Sequence, residues 1–467
     1  MKEFIMGKKW RTEECFVGIV GPSWSGKTVL LTALIDHLNH HDALAFPIGN
    51  QKHSQITHFE DLSLQIEQEK NWPCFPYRQY RDRLVHRLWP EKTCDRYEYR
   101  CSFQRSDWRH SNAELRFYDL PGERLNDILM LYPQSNTFLT WSQAMFQRIK
   151  ENQELQIAFQ DFQLAVDQNR PEPELLLAYR RGLARARLGH HPYISPSVFL
   201  LDTNGIPCRG GDIETSIENR FSGLDENNQF CPLPLSYQQT NPQRVEKFSA
   251  IFNHYRDTVV VPWFQGFQKC HALVILVDVL EILAGGTEIY NSWYRLLEDL
   301  FHTLHLRNST LDRAWSGLTH LFPRPLRPVW IKRVAFVATK IDRCHPLDRG
   351  HIDRLLQQMT KKYQLMLQKD GITVKTFSVA AVMGTQTDPN RPNERILIGS
   401  LRYDPLGNLL PANEKQFYPV SEVPANWPHR WQGDGFSFPD VYPEIPPRLS
   451  APPNQIGLNE LFDFICW

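Results

Sequence analysis

Lys27 and Thr28 close the turn GPSWSGKT, residues 21 to 28, and side chains of these types at this spacing suit a polyphosphate. Glycines such as Gly21 and Gly26 let successive main-chain N–H groups curl toward phosphate oxygens. The Lys27 ammonium can reach the β and γ phosphates, and the Thr28 hydroxyl is a hard oxygen ligand of the kind Mg²⁺ takes. Gly21, Ser23, Trp24, Ser25, Gly26, Lys27, Thr28 and Val29 therefore form the candidate phosphate cradle. Such a turn needs a buried strand before it and a helix N-terminus after it, whose positive dipole end adds to the attraction. The preceding CFVGIV is mostly apolar, and Leu30, Leu31, Leu34, Ile35 and Leu38 recur at helical spacing over residues 27 to 40.

A phosphate loop does not choose the base, so later strands must. LRFYDLPGER places Asp119 at a strand end with Gly122 three residues on. An aspartate there can hold the metal, usually through water, and a glycine amide can sense the γ phosphate. VAFVATKID sets Thr339, Lys340 and Asp342 after another buried strand. The Asp342 carboxylate can accept from a guanine N1–H and exocyclic amine, and the Lys340 stem can lie over the base. In KTFSVAA, Ser378 and the backbone of Val379 and Ala380 can approach the guanine carbonyl. TKxD alone is a short pattern that a surface turn also satisfies. Four signals in this order, each at the carboxyl end of a strand, point to the edge where open α/β sheets bind ligands.

The elements that must carry these residues alternate. Strands are expected at 15–20, RYEYRCSF, AELRFYDL, HALVILVDV, RVAFVATK and ITVKTFSVAAV, with helices between, the pattern of a mostly parallel sheet with helices on both faces. Residues 41–92 read as mostly helical. A P-loop core is expected from 1–122 and 265–383, closed by a helix over 456–467. A helical insertion is expected over 123–264, and an irregular appendage rich in Pro and aromatics, with one short strand-like piece, ERILIGSLRY, over 384–455.

Composition sets outer bounds. With 467 residues the chain exceeds one compact core. Its 52 basic and 52 acidic residues balance, so no global charge draws it to nucleic acid or anionic lipid. Nine cysteines without a CxxC pair argue against a disulfide framework or zinc cluster. The N-terminus lacks a signal-peptide core, and ALVILVDVLEILAGG is too short and too charged to cross a bilayer, so a cytoplasmic protein is expected.

In motif order the chain resembles translation-factor-type GTPase domains and, more closely, the YcjX family of P-loop nucleotide-binding proteins. GPSWSGKTVLLTALI, FYDLPGER, ILVDVLE, VATKID and FSVAAV carry the likeness across nearly the whole chain. The resemblance implies a GTPase-like core, guanine nucleotide binding and a stress connection. Three departures stand out: Thr339 where Asn is commoner, bulky Trp24 in the loop, and Glu123 where many GTPases place a water-orienting Gln. A carboxylate near the γ phosphate disfavours fast turnover, so slow hydrolysis is expected.

The expected protein thus binds GTP and GDP with Mg²⁺. Lys27, Gly122 and Glu123 are its catalytic candidates, and Thr28, Asp119 and Thr93 its metal candidates, Thr93 as a switch threonine. Arg78, Arg81, Arg83, Arg87 and Arg124 are candidates for an internal arginine finger, although arginines repeating on a helix also suit a solvated face. YRRGLARARLGHH, with His190 and His191, reads as an exposed basic helix that could touch a membrane transiently. A protein partner would read the nucleotide state, and no specific nucleic acid is indicated. An ATPase on the same scaffold, or a nucleotide-gated scaffold with little turnover, stays open.

Overall fold

The computed structural model describes residues 13–22, 24–40, 56–62, 73–91, 97–105, 113–119, 122–132, 135–188, 195–196, 229–268, 270–307, 331–404, 407–429, 431 and 435–466. Along the chain run β1 (Glu13–Val20), α1 (Lys27–His40), β2 (Ile56–Asp61), α2 (Tyr77–Val85), β3 (Tyr97–Arg105) and β4 (Ala113–Asp119). A 3-10 helix, Gly122–Leu131, leads to α3 (Phe138–Glu151), α4 (Gln153–Ala158), α5 (Gln160–Asp167), α6 (Glu172–Leu188), α7 (Tyr237–Thr240) and α8 (Pro242–Tyr255). A π-helical turn, Arg256–Val260, joins α8 to α9 (Val261–Gln268). Then come β5 (Ala272–Val277), α10 (Val279–Arg307), β6 (Arg333–Thr339), α11 (Arg349–Lys369) and β7 (Thr373–Val379). Three short strands, β8 (Thr385–Thr387), β9 (Ile396–Gly399) and β10 (Gln416–Pro419), precede α12 (Leu458–Cys466).

The chain divides into two compact units. The first comprises Met1–Leu120, Phe267–Ala284 and Val329–Trp467; the second comprises Pro121–Gly266 and Gly285–Pro328.

In the first unit seven strands form one sheet in the order β2-β3-β4-β1-β5-β6-β7. β4, β1, β5, β6 and β7 are mutually parallel, and β3 and β2 add antiparallel at one side. This is the expected α/β, mostly parallel sheet. Register aligns the strand ends: Ile19 lies opposite both Asp119 and Val274, Val277 opposite Ala338, and Thr339 opposite Val379. Every parallel strand therefore delivers its last residues to one edge.

Alternation assigns the faces. Val17, Ile19, Val274, Leu276, Ala335 and Val337 share a buried cluster with Leu31, Leu34 and Leu38 of α1 and Leu461, Phe462 and Ile465 of α12. The intervening Val334 and Phe336 are equally buried but point the other way, and α11 packs against β6 and β7 with Ile352, Leu355 and Met359 buried. Helices thus cover both faces, as an all-parallel sheet core requires. α12 seals its side through Phe462 against Phe103 and Phe464 against Phe377, ring centroids 5.8 and 5.3 Å apart. Full burial, as at Phe103 and Phe462, stabilises by about 1.5–3 kcal/mol per ring, and the partly buried Phe464 contributes less.

Two stretches differ from expectation. β2 lies within the segment read as mostly helical: ITHFED has only two apolar residues, Ile56 and Phe59, three apart, so it carries no strand alternation, and among the described residues it pairs with β3 alone. In the region read as irregular, β9 falls within ERILIGSLRY, the piece read as strand-like, and pairs antiparallel with β8 and β10, strands of three and four residues that are too short for periodicity to register.

The second unit is helical and holds an aromatic core. Trp141 of α3 stacks edgewise on Phe230 and tilts on Phe252, at 5.5 and 5.4 Å. Phe162 meets Tyr179 at 4.7 Å. Thr137 and Thr140 cap α3 reciprocally, and Arg148 of that helix binds Asp299 at 2.8 Å. α10 carries non-helical backbone at Gly286 (φ 78°), beside the point where the chain passes between units. Among the described residues no helix is long and apolar enough to cross a membrane.

Candidate functional site

The turn predicted to hold phosphate stands between β1 and α1, with Lys27 and Thr28 as the first residues of the helix. Gly21 admits no side chain: a Cβ there would meet Ser25 Oγ at 2.4 Å and the Leu276 carbonyl of β5 at 3.1 Å. Gly26 has φ 93°, which only glycine adopts without strain. Its carbonyl accepts the Leu30 N–H at 2.8 Å, which starts the helix. Lys27 folds back over the loop, donating from Nζ to the carbonyls of Gly21 and Pro22 at 2.9 and 3.0 Å. Lys27 as a residue is only 6% exposed, so the cation is clasped against the loop.

Within that loop Ser25 is buried, and its Oγ has no partner among the described residues. Trp24 is its opposite, 53% exposed, with φ 68° in the left-handed region that L side chains avoid. Val29 packs partly against the core, so its side chain serves the fold. Ser23 lies outside the described residues.

Asp119 ends β4, the strand beside β1, and is fully buried. The Thr28 hydroxyl donates to its Oδ2 at 3.5 Å, a long contact. Two hard oxygens from neighbouring elements thus converge beside the lysine-clasped loop, a donor set that suits Mg²⁺. Among the described residues no three His, Cys, Asp or Glu side chains cluster as a metal cage. A metal held here would take its remaining ligands from phosphate and water, as Mg²⁺ commonly does. Thr93 lies outside the described residues.

The base-reading candidates lie at the ends of β6 and β7 on the same edge. Thr339 is buried with its Oγ1 unpartnered among the described residues. Lys340 adopts a left-handed backbone (φ 59°, ψ 32°), and its Nζ is 2.7 Å from Asp278 Oδ2. Asp342 is buried; its Oδ2 accepts the Gly384 N–H at 2.8 Å, and burial raises its pKa above the ordinary carboxylate range. The neighbouring Arg343 donates to the carbonyls of Phe438 and Pro439 and pairs with Asp440. Ser378 donates to Asp353, and the Ala380 N–H to Ile456, so both groups are already engaged; Val379 is buried within β7.

Asp278 is the residue that sequence reading passed over as a mere charge in an apolar run. It ends VILVD as Asp119 ends its own strand, and that parallel was the available signal.

Gly122 and Glu123 open the 3-10 helix of the second unit; Gly122 is buried, and the Glu123 side chain lies outside the described residues. Arg124 binds Tyr255 Oη, and that hydroxyl donates to Asp127 at 2.7 Å, so Arg124 belongs to an interior network of that unit. The other arginine-finger candidates are mostly engaged structurally. Arg81 donates to Asp36 and the Leu449 carbonyl, Arg83 to the Trp89 carbonyl and Glu91, and Arg87 to the Ala412 carbonyl, while Arg78 is exposed. His190 and His191 lie outside the described residues.

The chain is 26% identical over 481 residues to a protein of Escherichia coli (strain K12) named Ras-like GTPase YcjX, covering 96% of this chain and 94% of that one. The model of the YcjX-like family, DUF463, matches residues 16–466, and the chain belongs to that family.

Proposed function

We propose that this protein binds guanine nucleotides with Mg²⁺ and hydrolyses GTP to GDP and phosphate slowly. The observation that carries the reading is the Lys27-clasped loop, with Thr28 and Asp119 converging beside it at the carboxyl edge of the sheet. The name of the Escherichia coli relative, a Ras-like GTPase, supports the same class of ligand.

In this mechanism the loop amides and Lys27 spread the charge of the transferring phosphoryl, and their fixed geometry leaves little to reorganise during reaction. Thr28 and Asp119 would hold Mg²⁺, which supplies further charge neutralisation on the phosphates when bound. Chain order assigns Gly122 to sensing the γ phosphate and Glu123 to the attacking water. The helical second unit carries the nucleotide state to a protein partner.

Titration calorimetry with GDP and ADP side by side tests the reading. GDP is expected to bind the more tightly and Lys27→Ala to lose at least 100-fold, as the deletion of a partly desolvated charge contact to phosphate does. Release of phosphate from GTP by the wild type, above the Lys27→Ala background, tests the hydrolysis.

One observation favours a second reading, an adenine nucleotide on the same loop. The Asp342 carboxylate is buried and already bonded to Gly384, as it would be if residues 339–342 served only as a turn. Tighter ADP than GDP binding selects that reading.

A further inference from the structure

Asp278 follows β5 directly and is 3% exposed. Its Oδ1 accepts the Glu281 N–H at 3.1 Å, and its carbonyl accepts the Ile282 N–H at 3.0 Å, so the residue caps the start of α10. Side-chain capping of this kind fixes the carboxylate's orientation through main-chain donors. The second oxygen, Oδ2, is the one that lies 2.7 Å from Lys340 Nζ, an ion contact without the alignment of a hydrogen bond.

The lysine makes an unusual partner for it. Lys340 is 30% exposed on its side chain and stands in the left-handed region. A long side chain loses rotamer freedom when it is pinned, and a partly exposed ion pair returns little stability. Backbone strain and a pinned side chain at the end of a central strand together point to a position held for use. β5 and β6 are neighbours in the sheet, so the tether draws the lysine stem from the end of one strand toward the end of the other.

Resting on the guanine-nucleotide reading above, we propose that Asp278 is a positioning residue for base recognition. Its contact with the Lys340 ammonium holds the lysine stem across the carboxyl ends of β5 and β6 as the surface on which the purine lies. Asp278 does not touch the nucleotide and acts through Lys340. Its effect must therefore be independent of how many phosphates the ligand carries, unlike that of Lys27.

The test uses the full chain and titrates GDP and GMP into wild type, Asp278→Asn, Lys340→Ala, the double variant and Lys340→Met. Asp278→Asn is expected to weaken GDP and GMP by the same factor, about fivefold, the upper range for a partly exposed ion pair. In the Lys340→Ala background Asp278→Asn should cost nothing further, the signature of action through one partner. Lys340→Met keeps an apolar stem but removes its anchor and should match Asp278→Asn; it carries the test if Asp278→Asn fails to fold. Unchanged affinity in Asp278→Asn or Lys340→Met overturns the proposal, as does an Asp278→Asn loss that persists in full without Lys340. A wild type that binds neither GDP nor GMP instead brings down the guanine reading on which the proposal rests.

Discussion

At the scale of single residues the site holds side chains where folding alone would not put them. Asp342 is a buried carboxyl whose pKa is raised by desolvation, opposed by the Gly384 N–H and nearby arginines. In the folded chain it keeps its proton to higher pH than in the unfolded chain. As pH rises from the ordinary 3.8 through the raised folded value, the folded state binds more protons than the unfolded one, and stability falls across that window. Asn at 342 carries no such penalty and can still accept the Gly384 N–H. Asp342→Asn should therefore gain stability over wild type progressively above about pH 4 while losing guanine affinity. Thermal melts of both proteins across pH check this, and a stability difference that stays flat with pH would refute it. Trp24 tells a related story through its backbone. Both Trp and Ala at φ 68° bear left-handed strain that glycine does not, so Trp24→Gly should be more stable than Trp24→Ala by about 1 kcal/mol in urea unfolding. Equal stability would mean that the loop relaxes out of that conformation.

At the scale of elements, the helix that carries Lys27 and Thr28 is braced at its far end by a buried carboxylate. Asp36 Oδ1 accepts from Tyr77 Oη at 2.5 Å and from Arg81 Nε at 2.7 Å, tying α1 to α2. Asp36→Ala leaves a buried hydroxyl and a guanidinium without their shared acceptor and should destabilise by about 2–4 kcal/mol. Arg83→Ala, which breaks a pair with a Glu91 side chain that is 60% exposed and one bond to the Trp89 carbonyl, should stay within about 1 kcal/mol of wild type. Similar losses from both would show that the brace carries no special weight. Elements like α1 and the parallel strands are legible in sequence because one face or both faces must be apolar, and that requirement writes a period into the chain. The limits 27–40 for α1, and strand ends at Asp119 and Thr339, follow from it directly. β2 escapes because an edge strand need not be apolar, and β8 and β10 because three or four residues hold no period, whereas β9 lies in ERILIGSLRY, whose apolar run reads as a strand. The Asp278–Lys340 tether escapes for another reason: its two halves are far apart in sequence, and nothing local in either half names the other.

At the scale of the whole molecule, binding and stability are one measurement. The phosphate loop, Asp119 and residues 339–342 all belong to the first unit, whose three chain segments are separated by the second. A ligand held by those residues binds only when the first unit is folded, so saturating nucleotide must raise that unit's unfolding free energy. At a free GDP concentration of 100 times Kd the gain is about 2.7 kcal/mol, and ADP at the same concentration should give less. Hydrogen exchange locates the gain: peptides spanning β1 to α1, the end of β4 and the end of β6 should slow with GDP and Mg²⁺. A GTP analogue that cannot be cleaved should give a larger shift with Mg²⁺ than with chelator, because Thr28 and Asp119 would be loaded only in the first case. Lys27→Ala should abolish both shifts while leaving the unliganded protein folded, since its described hydrogen bonds go to loop carbonyls and it removes no core side chain. Protection that appears only among residues 135–188 and 242–255 would place the ligand in the helical unit and remove the phosphate loop from the account.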